Sequence, residues 1–378
     1  MAGGFAFSFS GDDIENTGST EQGVPTRAVP LPPAEKATAD KGAFPVEGKP
    51  QLPAEHHDVA HMLSRLPSKI VYSLLDIDLG QGKRIQLPRR ELFDVRVQLA
   101  AEDDELGTGG EDDTGLGKHD VRSGIYEGGF KSWESSVDLV KVLSQDAHSP
   151  ILALNNGPLR MIELGCGTAL PSLAVFQWAA ETGAVPEKFP LSLTMADYNP
   201  SVLYLVTLPN FVLTWALSQQ AHSTLVQDAL SSEGQEGELE LSEEVKAAFQ
   251  SFLEKSKINL SFVSGGWSPA LVELLYSDKF VPPEAAEHSN PSTLVIGAET
   301  IYSPFALGAF AETLLEVLRR EQARGKATSI VAAKRLYFGV GGSLDDFVDR
   351  MTASGTTVNW VAEETEGVRR GVVQCSLP

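Results

Sequence analysis

Cysteine is nearly absent: two residues in 378, Cys166 and Cys375, far apart in the chain. That is too few for a zinc cluster and the wrong pattern for a disulfide framework, so a reducing compartment fits and no metal site is expected. Long apolar runs are lacking too. No stretch reaches the roughly 20 residues that cross a bilayer, and the amino terminus has no basic region followed by an apolar block. The expectation is a protein of the cytoplasm and nucleus that makes no membrane contact. Basic residues are scarce, 30 Lys and Arg against 51 Asp and Glu, which gives a formal net charge of −21. Such a balance disfavours direct binding to nucleic acid and favours a basic protein partner.

What is present is apolar content enough for a full core, 42% of residues. Residues 1–55, rich in Gly, Pro, Ser and acid, read as a disordered tail, in which only Phe5, Phe7 and Phe9 suggest a docking motif. Residues 56–130 read as an extension. Strand-like patterning over 68–100, broken at Pro88, predicts a hairpin-like platform, and the acidic, glycine-rich run that follows predicts a flexible connector. Residues 131–378 read as the catalytic domain. A helix over 132–145 precedes alternating strands (160–165, 191–197, 258–263, 293–298, 328–333) and helices (169–182, 200–217, 268–277, 304–323, 343–354). Two final strands near 357–363 and 370–376 have no helix between them. The pattern predicts an α/β protein: a parallel sheet covered on both faces, with an antiparallel edge. An acidic insertion at about 221–256 is expected to form a surface loop and an extra helix. The chain is expected to act as a monomer.

In such a sheet the ligand lies beyond the carboxyl ends of the strands. There "MIELGCGTALPSLAVF" supplies Gly165, Cys166, Gly167 and Thr168, where glycines let backbone approach a ligand closely. "MADYNP" places Asp197 to accept hydrogen bonds from two vicinal ribose hydroxyls, and "SGGW" and "GAETIY" close the next two strands. The third glycine of a dinucleotide fingerprint is replaced by Leu170, and no Lys-Ser or Lys-Thr follows the glycines. A nucleoside cofactor without phosphates, such as S-adenosylmethionine, suits the turn better than NAD or ATP. Cys166 reads as a small apolar spacer rather than a nucleophile. "HHDVAH", residues 56–61, is a poor zinc motif, with Asp58 where a metalloprotease carries Glu. Trp133 and Trp267 have plain core readings beside the functional ones.

"MIELGCGTALPSLAVF", "ADYNPSVL" and "AETIYSPF" resemble the strand ends of seven-stranded, Rossmann-like S-adenosylmethionine-dependent methyltransferases. "YEGGFKSWESSVDLVKVL", "LPRRELFDVRVQLAAEDD" and "KRLYFGVGGSLDDF" further resemble the histidine protein methyltransferase family, whose members modify a histidine of a large-subunit ribosomal protein, and "FAFSFSGDDIE" looks like the start of fungal members. The resemblance implies S-adenosylmethionine as cofactor and a basic ribosomal protein as substrate. A protein-lysine or small-molecule methyltransferase is the alternative. It implies that Glu163 braces the glycine turn or bonds the methionine amine, and that Gly165 and Gly167 pass under the cofactor. Asp197 would hold the ribose, Tyr198 and Asn199 would meet the adenine, and Gly265, Gly266 and Trp267 would cover its other face. Lys131, Ser132, Trp133, Glu134 and Ser135 would form the near wall, with Trp133 beside the sulfonium. Ala298, Glu299 and Thr300 would sit where the methyl emerges. Glu299 or Tyr302 would orient the acceptor ring, and the 337–342 loop would gate it.

Overall fold

The computed structural model describes residues 48, 50–106, 128–181, 189–277, 291–339, 341–365 and 367–378. The phenylalanine motif of the tail and the connector from residue 107 lie outside the described residues. In chain order the elements are β1 (Glu55–His57), α1 (Val59–Ser64), β2 (Lys69–Gly80), β3 (Lys83–Arg90) and α2 (Leu92–Leu106), then α3 (Glu134–Leu143), α4 (Pro150–Leu154), β4 (Leu159–Leu164), α5 (Leu170–Glu181) and β5 (Leu191–Asp197). A long helical stretch follows, α6 (Pro200–Val202), a π turn (Leu203–Thr207) and α7 (Leu208–Gln219). After it come α8 (Thr224–Ala229), β6 (Leu230–Glu233), β7 (Glu236–Glu240), α9 (Glu243–Lys255), β8 (Ile258–Ser264), α10 (Pro269–Leu275), β9 (Ser292–Ala298), α11 (Pro304–Gln322), β10 (Lys326–Lys334), α12 (Leu344–Ala353), β11 (Thr357–Glu364) and β12 (Arg370–Ser376).

The main sheet runs β1-β8-β5-β4-β9-β10-β12-β11. Seven of its strands follow the expected α/β pattern; β12 is antiparallel to both of its neighbours, and β1 adds an eighth strand, antiparallel to β8. The expected tail boundary at residue 55 therefore falls inside a sheet strand. Because alternate side chains of a strand face opposite ways, each central strand feeds two cores. Met161 of β4, Leu294 and Ile296 of β9 and Ile330 of β10 join the layer of α3, α5, α7 and α9. Ile162, Val295 and Val331 join the layer of α10, α11 and α12. Ser268-Pro269 and Ser303-Pro304 start α10 and α11, with each serine oxygen accepting an amide of the first turn and proline supplying its fixed φ.

Three expectations are corrected. Residues from Leu92 onward form helix α2 instead of continuing the platform, because Val95 and Leu99, four apart, reach the cluster of Phe130, Val202 and Leu205. The acidic insertion has the expected extra helix, α9, but a strand pair in place of the surface loop. Its hairpin β6–β7 completes a four-stranded sheet, β3-β2-β7-β6, and Val245 and Phe249 of α9 are buried in the main core. Finally, Pro200–Gln219 is long and apolar enough to cross a membrane by length and composition, but it is mostly buried inside the protein as a core helix.

That helix also carries a proline in its interior. Pro209 has no N–H to give to the carbonyl of Leu205, four residues earlier. Arg90, its side chain wholly buried, donates to that oxygen from Nη1 at 2.9 Å and pairs with Asp94 through Nε at 2.7 Å. Its backbone N–H donates to Asn210 Oδ1 at 2.8 Å, and Asn210 in turn donates to the carbonyl of Thr168 at 3.1 Å. Thr207, in the π turn, donates to the carbonyl of Gly167 at 2.7 Å. The platform and the kinked helix thus hold the glycine turn from behind.

Candidate active site

The site lies at the topological switch point, beyond the end of β4 with β5 on one side and β9 on the other. Gly165 and Gly167 have φ of +72° and +51°, in the left-handed region that glycine tolerates. The amides of Gly165 and Cys166 donate to the carbonyl of Ala196, and that of Gly167 to Asp197 Oδ2 at 2.9 Å. Asp197 Oδ1 accepts from the amide of Asn199 at 3.0 Å. Burial pushes the Asp197 carboxyl up, against the backbone donations that pull it down. A Cβ on Gly165 would lie 2.3 Å from Thr300 Cγ2, so β4 and β9 meet here in close contact. Thr300 is buried, and its hydroxyl has no hydrogen-bond partner among the described residues. Gly129 covers Gly167, and Ser132 shares a hydrogen bond of 2.9 Å with Thr168.

Glu299 occupies the next position along. Its backbone has φ of +59°, an unusual conformation for a residue with a side chain, and its amide donates to the carbonyl of Ala332 at 3.0 Å. Its carboxylate accepts from the hydroxyls of Ser135 and Tyr337, one on each oxygen. Desolvation raises its pKa, opposed by those two donors and by the charges of Lys334 and Arg370. Lys334 Nζ lies 5.4 Å from the Trp133 ring centroid and 5.7 Å from that of Tyr337. Arg370 is tied to Asp138 at 2.6 Å and to Glu134 at 3.2 Å. The result is a largely buried carboxylate with its geometry set from α3, β9 and the loop after β10.

Several residues predicted from the sequence meet here: Ser132, Ser135, Gly165, Gly167, Thr168, Asp197 and Glu299, with Ala298 buried at the end of β9. Others are placed differently from the expectation. Glu163 is 1% exposed and accepts from both the amide and the hydroxyl of Ser172, in the first turn of α5. It thereby holds the start of α5 rather than the glycine turn itself, and burial lifts its pKa to about 8. Glu134 turns to Arg370, Lys131 is exposed, and the face of Trp133 is met by Lys334. Gly265 and Gly266 lie against the segment before β1: a Cβ on Gly265 would be 2.4 Å from the carbonyl of Pro53, and one on Gly266 2.9 Å from Gln51. Tyr198 accepts from the amide of Leu52 at 3.2 Å, and Asn199 caps α6. Trp267 reaches toward Gly165 yet also meets Phe310 edge-on in the second core.

The tyrosine whose hydroxyl reaches Glu299 is Tyr337; Tyr302, assigned with Glu299 from the sequence, packs against the second core and accepts the amide of Gly342 through its carbonyl. Cys166 is buried beside Thr207, and burial raises its pKa well above the usual thiol range, as suits a spacer. In "HHDVAH", His57 bonds Ser264 at 2.8 Å and Asp58 caps α1. No cluster of three potential metal ligands occurs among the described residues. Tyr337, Lys334 and Arg370 were missed as site residues. Tyr337 sits in the aromatic loop that the sequence did single out, whereas nothing in the pattern marks the two cations for this site.

No family model matches the chain. Curated relatives do. It is 37% identical over 276 residues to histidine protein methyltransferase 1 of Saccharomyces cerevisiae, covering 70% of this chain and 68% of that protein. It is 31% identical over 330 residues to the Schizosaccharomyces pombe protein of the same name, covering 86% and 85%. Among solved structures it is similar to magnesium protoporphyrin IX methyltransferase from Synechocystis, with a TM-score of 0.29 and 10% identity over 66% of this chain and 86% of that one. On the strength of the two yeast relatives, and with the fold and strand-end site in agreement, the chain belongs to the histidine protein methyltransferase family.

Proposed function

We propose that the chain transfers a methyl group from S-adenosylmethionine to a ring nitrogen of a histidine in a basic ribosomal protein of the large subunit, in the cytoplasm or nucleus. The observation that carries the reading is the largely buried Glu299 carboxylate, held by two hydroxyl donors next to the contact of Gly165 with Thr300. The surrounding residues fit a nucleoside donor without phosphates. The buried Thr300 hydroxyl lacks a partner among the described residues. Asp197 accepts the backbone amides of Gly167, Asn199 and Tyr198 and its two oxygens together keep lone-pair capacity for a ribose hydroxyl, and the turn at 165–168 contains no Lys or Arg to pair with phosphate. Asp197, Thr300, Ser132, Thr168 and the backbone of 165–167 would hold the donor.

When bound, S-adenosylmethionine supplies a methyl group already activated by its sulfonium. The protein's task is then mainly alignment. Glu299 accepts the N–H of one ring nitrogen of the acceptor histidine, which fixes the tautomer and leaves the lone pair of the other nitrogen free to attack. Ser135 and Tyr337 hold the carboxylate in one orientation while it does so. As transfer proceeds, the ring gains positive charge, which the Glu299 carboxylate stabilises at short range. The same carboxylate is the nearest base for the ring proton.

Charge supports the substrate class. A chain at −21 repels rRNA phosphates and attracts basic protein, so the acceptor is the free ribosomal protein before assembly. Methyl transfer to purified large-subunit proteins is compared with transfer to intact subunits at several salt concentrations. The free protein is expected to react faster, with kcat/KM falling as salt shortens the Debye length below about 8 Å. Equal rates on assembled subunits, or indifference to salt, would overturn the charge argument.

A further inference from the structure

Nine large apolar side chains are exposed among the described residues, and three of them, Leu336, Phe338 and Val368, sit on the two loops that leave β10 and enter β12, with Trp133 beside Lys334 at the same end. Register explains part of this: Lys334 pairs with Arg370 across β10 and β12, and the amide of Arg335 donates to the carbonyl of Arg369, so Leu336 and Val368 continue the ladder on facing loops. Phe338, 87% exposed, follows Tyr337 directly, and Tyr337 is the residue whose hydroxyl reaches Glu299. The loop that carries Phe338 is pinned at its base, Tyr337 and Gly342 being bonded to each other and Gly342 to Tyr302. An apolar tip thus stands on a fixed base beside the carboxylate.

Charged side chains of both signs surround it. Arg335 is met by Asp345 at 2.8 Å and Glu363 at 3.6 Å, and Arg370 by Asp138 and Glu134, while Lys334 and Arg369 stand beside the same loops. The rim is thus apolar at its centre and charged at its margin. This is the form of a protein-docking surface with an apolar anchor and a polar rim.

We infer that Leu336, Phe338 and Val368 form a docking rim for the acceptor protein, taking an apolar side chain that flanks the target histidine in a basic segment. The inference rests on the histidine-transfer reading above. It adds a rule for choosing among histidines. The occupant is the acceptor rather than a second copy of this chain, because a second copy carries the same net charge of −21 and is repelled, whereas a basic segment is attracted.

The test uses the full chain and two sets of basic histidine peptides, one with Leu or Phe beside the histidine and one with Ser in its place. Binding is read by fluorescence polarisation and methyl transfer is followed separately. Wild-type protein is expected to bind the apolar set about tenfold more tightly, the worth of burying one such side chain. The preference should vanish in Phe338→Ser and in Leu336→Ser with S-adenosylmethionine affinity unchanged by calorimetry, which also reports that the variants fold. No preference in the wild type, or a preference that survives both substitutions, would overturn the rim. So would sedimentation showing a wild-type dimer that Phe338→Ser separates. Histidine methylation without the preference refutes the rim alone, whereas rim-dependent binding without histidine methylation refutes the reaction assigned to the site.

Discussion

Tyr337→Phe removes one hydroxyl and leaves the ring that meets Lys334. The lost group is one of two side-chain donors to a carboxylate that burial already drives toward its neutral form. A hydrogen bond to a charged group is worth about 1.5–3 kcal/mol, and its removal favours the neutral acid of Glu299 by up to that amount. The sign follows from the protonation states. Glu299 must be ionised to accept the ring N–H, and the histidine must be neutral, so kcat/KM rises with pH through the titration of both. In the variant, Glu299 ionises at higher pH than in the wild type. On the acid side of that titration kcat/KM should fall about tenfold or more and recover progressively as the medium becomes alkaline, while S-adenosylmethionine affinity stays unchanged. Initial rates across the pH range, with calorimetry at each end, provide the assay. A loss that is the same at every pH would mean that Tyr337 shapes the loop and does not hold the carboxylate. Superimposable profiles would mean that Glu299 takes no part.

Gly165→Ala should destabilise the protein by about 1–2 kcal/mol for the left-handed backbone alone, with the contact to Thr300 adding to it. Thr300→Ser keeps the hydroxyl and deletes Cγ2, so the double variant should regain part of the loss in thermal unfolding; no recovery would show that the contact is not the cause. Arg90→Met breaks a buried ion pair and abandons the Leu205 carbonyl, at a cost of about 3–5 kcal/mol. In a Pro209→Ala background that carbonyl regains a helical donor, so the same substitution should cost about 1 kcal/mol less. A double-mutant cycle that is additive would refute the pairing of Arg90 with the gap left by Pro209.

The alternation of strands and helices from residue 159 onward was legible in the sequence because it rests on local quantities: apolar runs of strand length, helical spacing, and Ser-Pro pairs that start helices. The glycine turn and Asp197 were legible for a similar reason, since backbone freedom at the end of one strand and a carboxylate at the end of the next are each set by a few adjacent residues. What pairs across long separations was decided only by the tertiary structure. β7 joins β2 from more than 150 residues away, turning an acidic insertion into part of the platform. Arg90 answers a missing donor at Pro209, and Glu299 meets Ser135, 164 residues earlier, and Tyr337, 38 residues later. Periodicity reports which face of an element is apolar. It does not report which polar atom another element must satisfy. Buried donors and acceptors find their partners only when the layers close around them, which is why the hydroxyls of Ser135 and Tyr337 on Glu299 were not legible in the sequence.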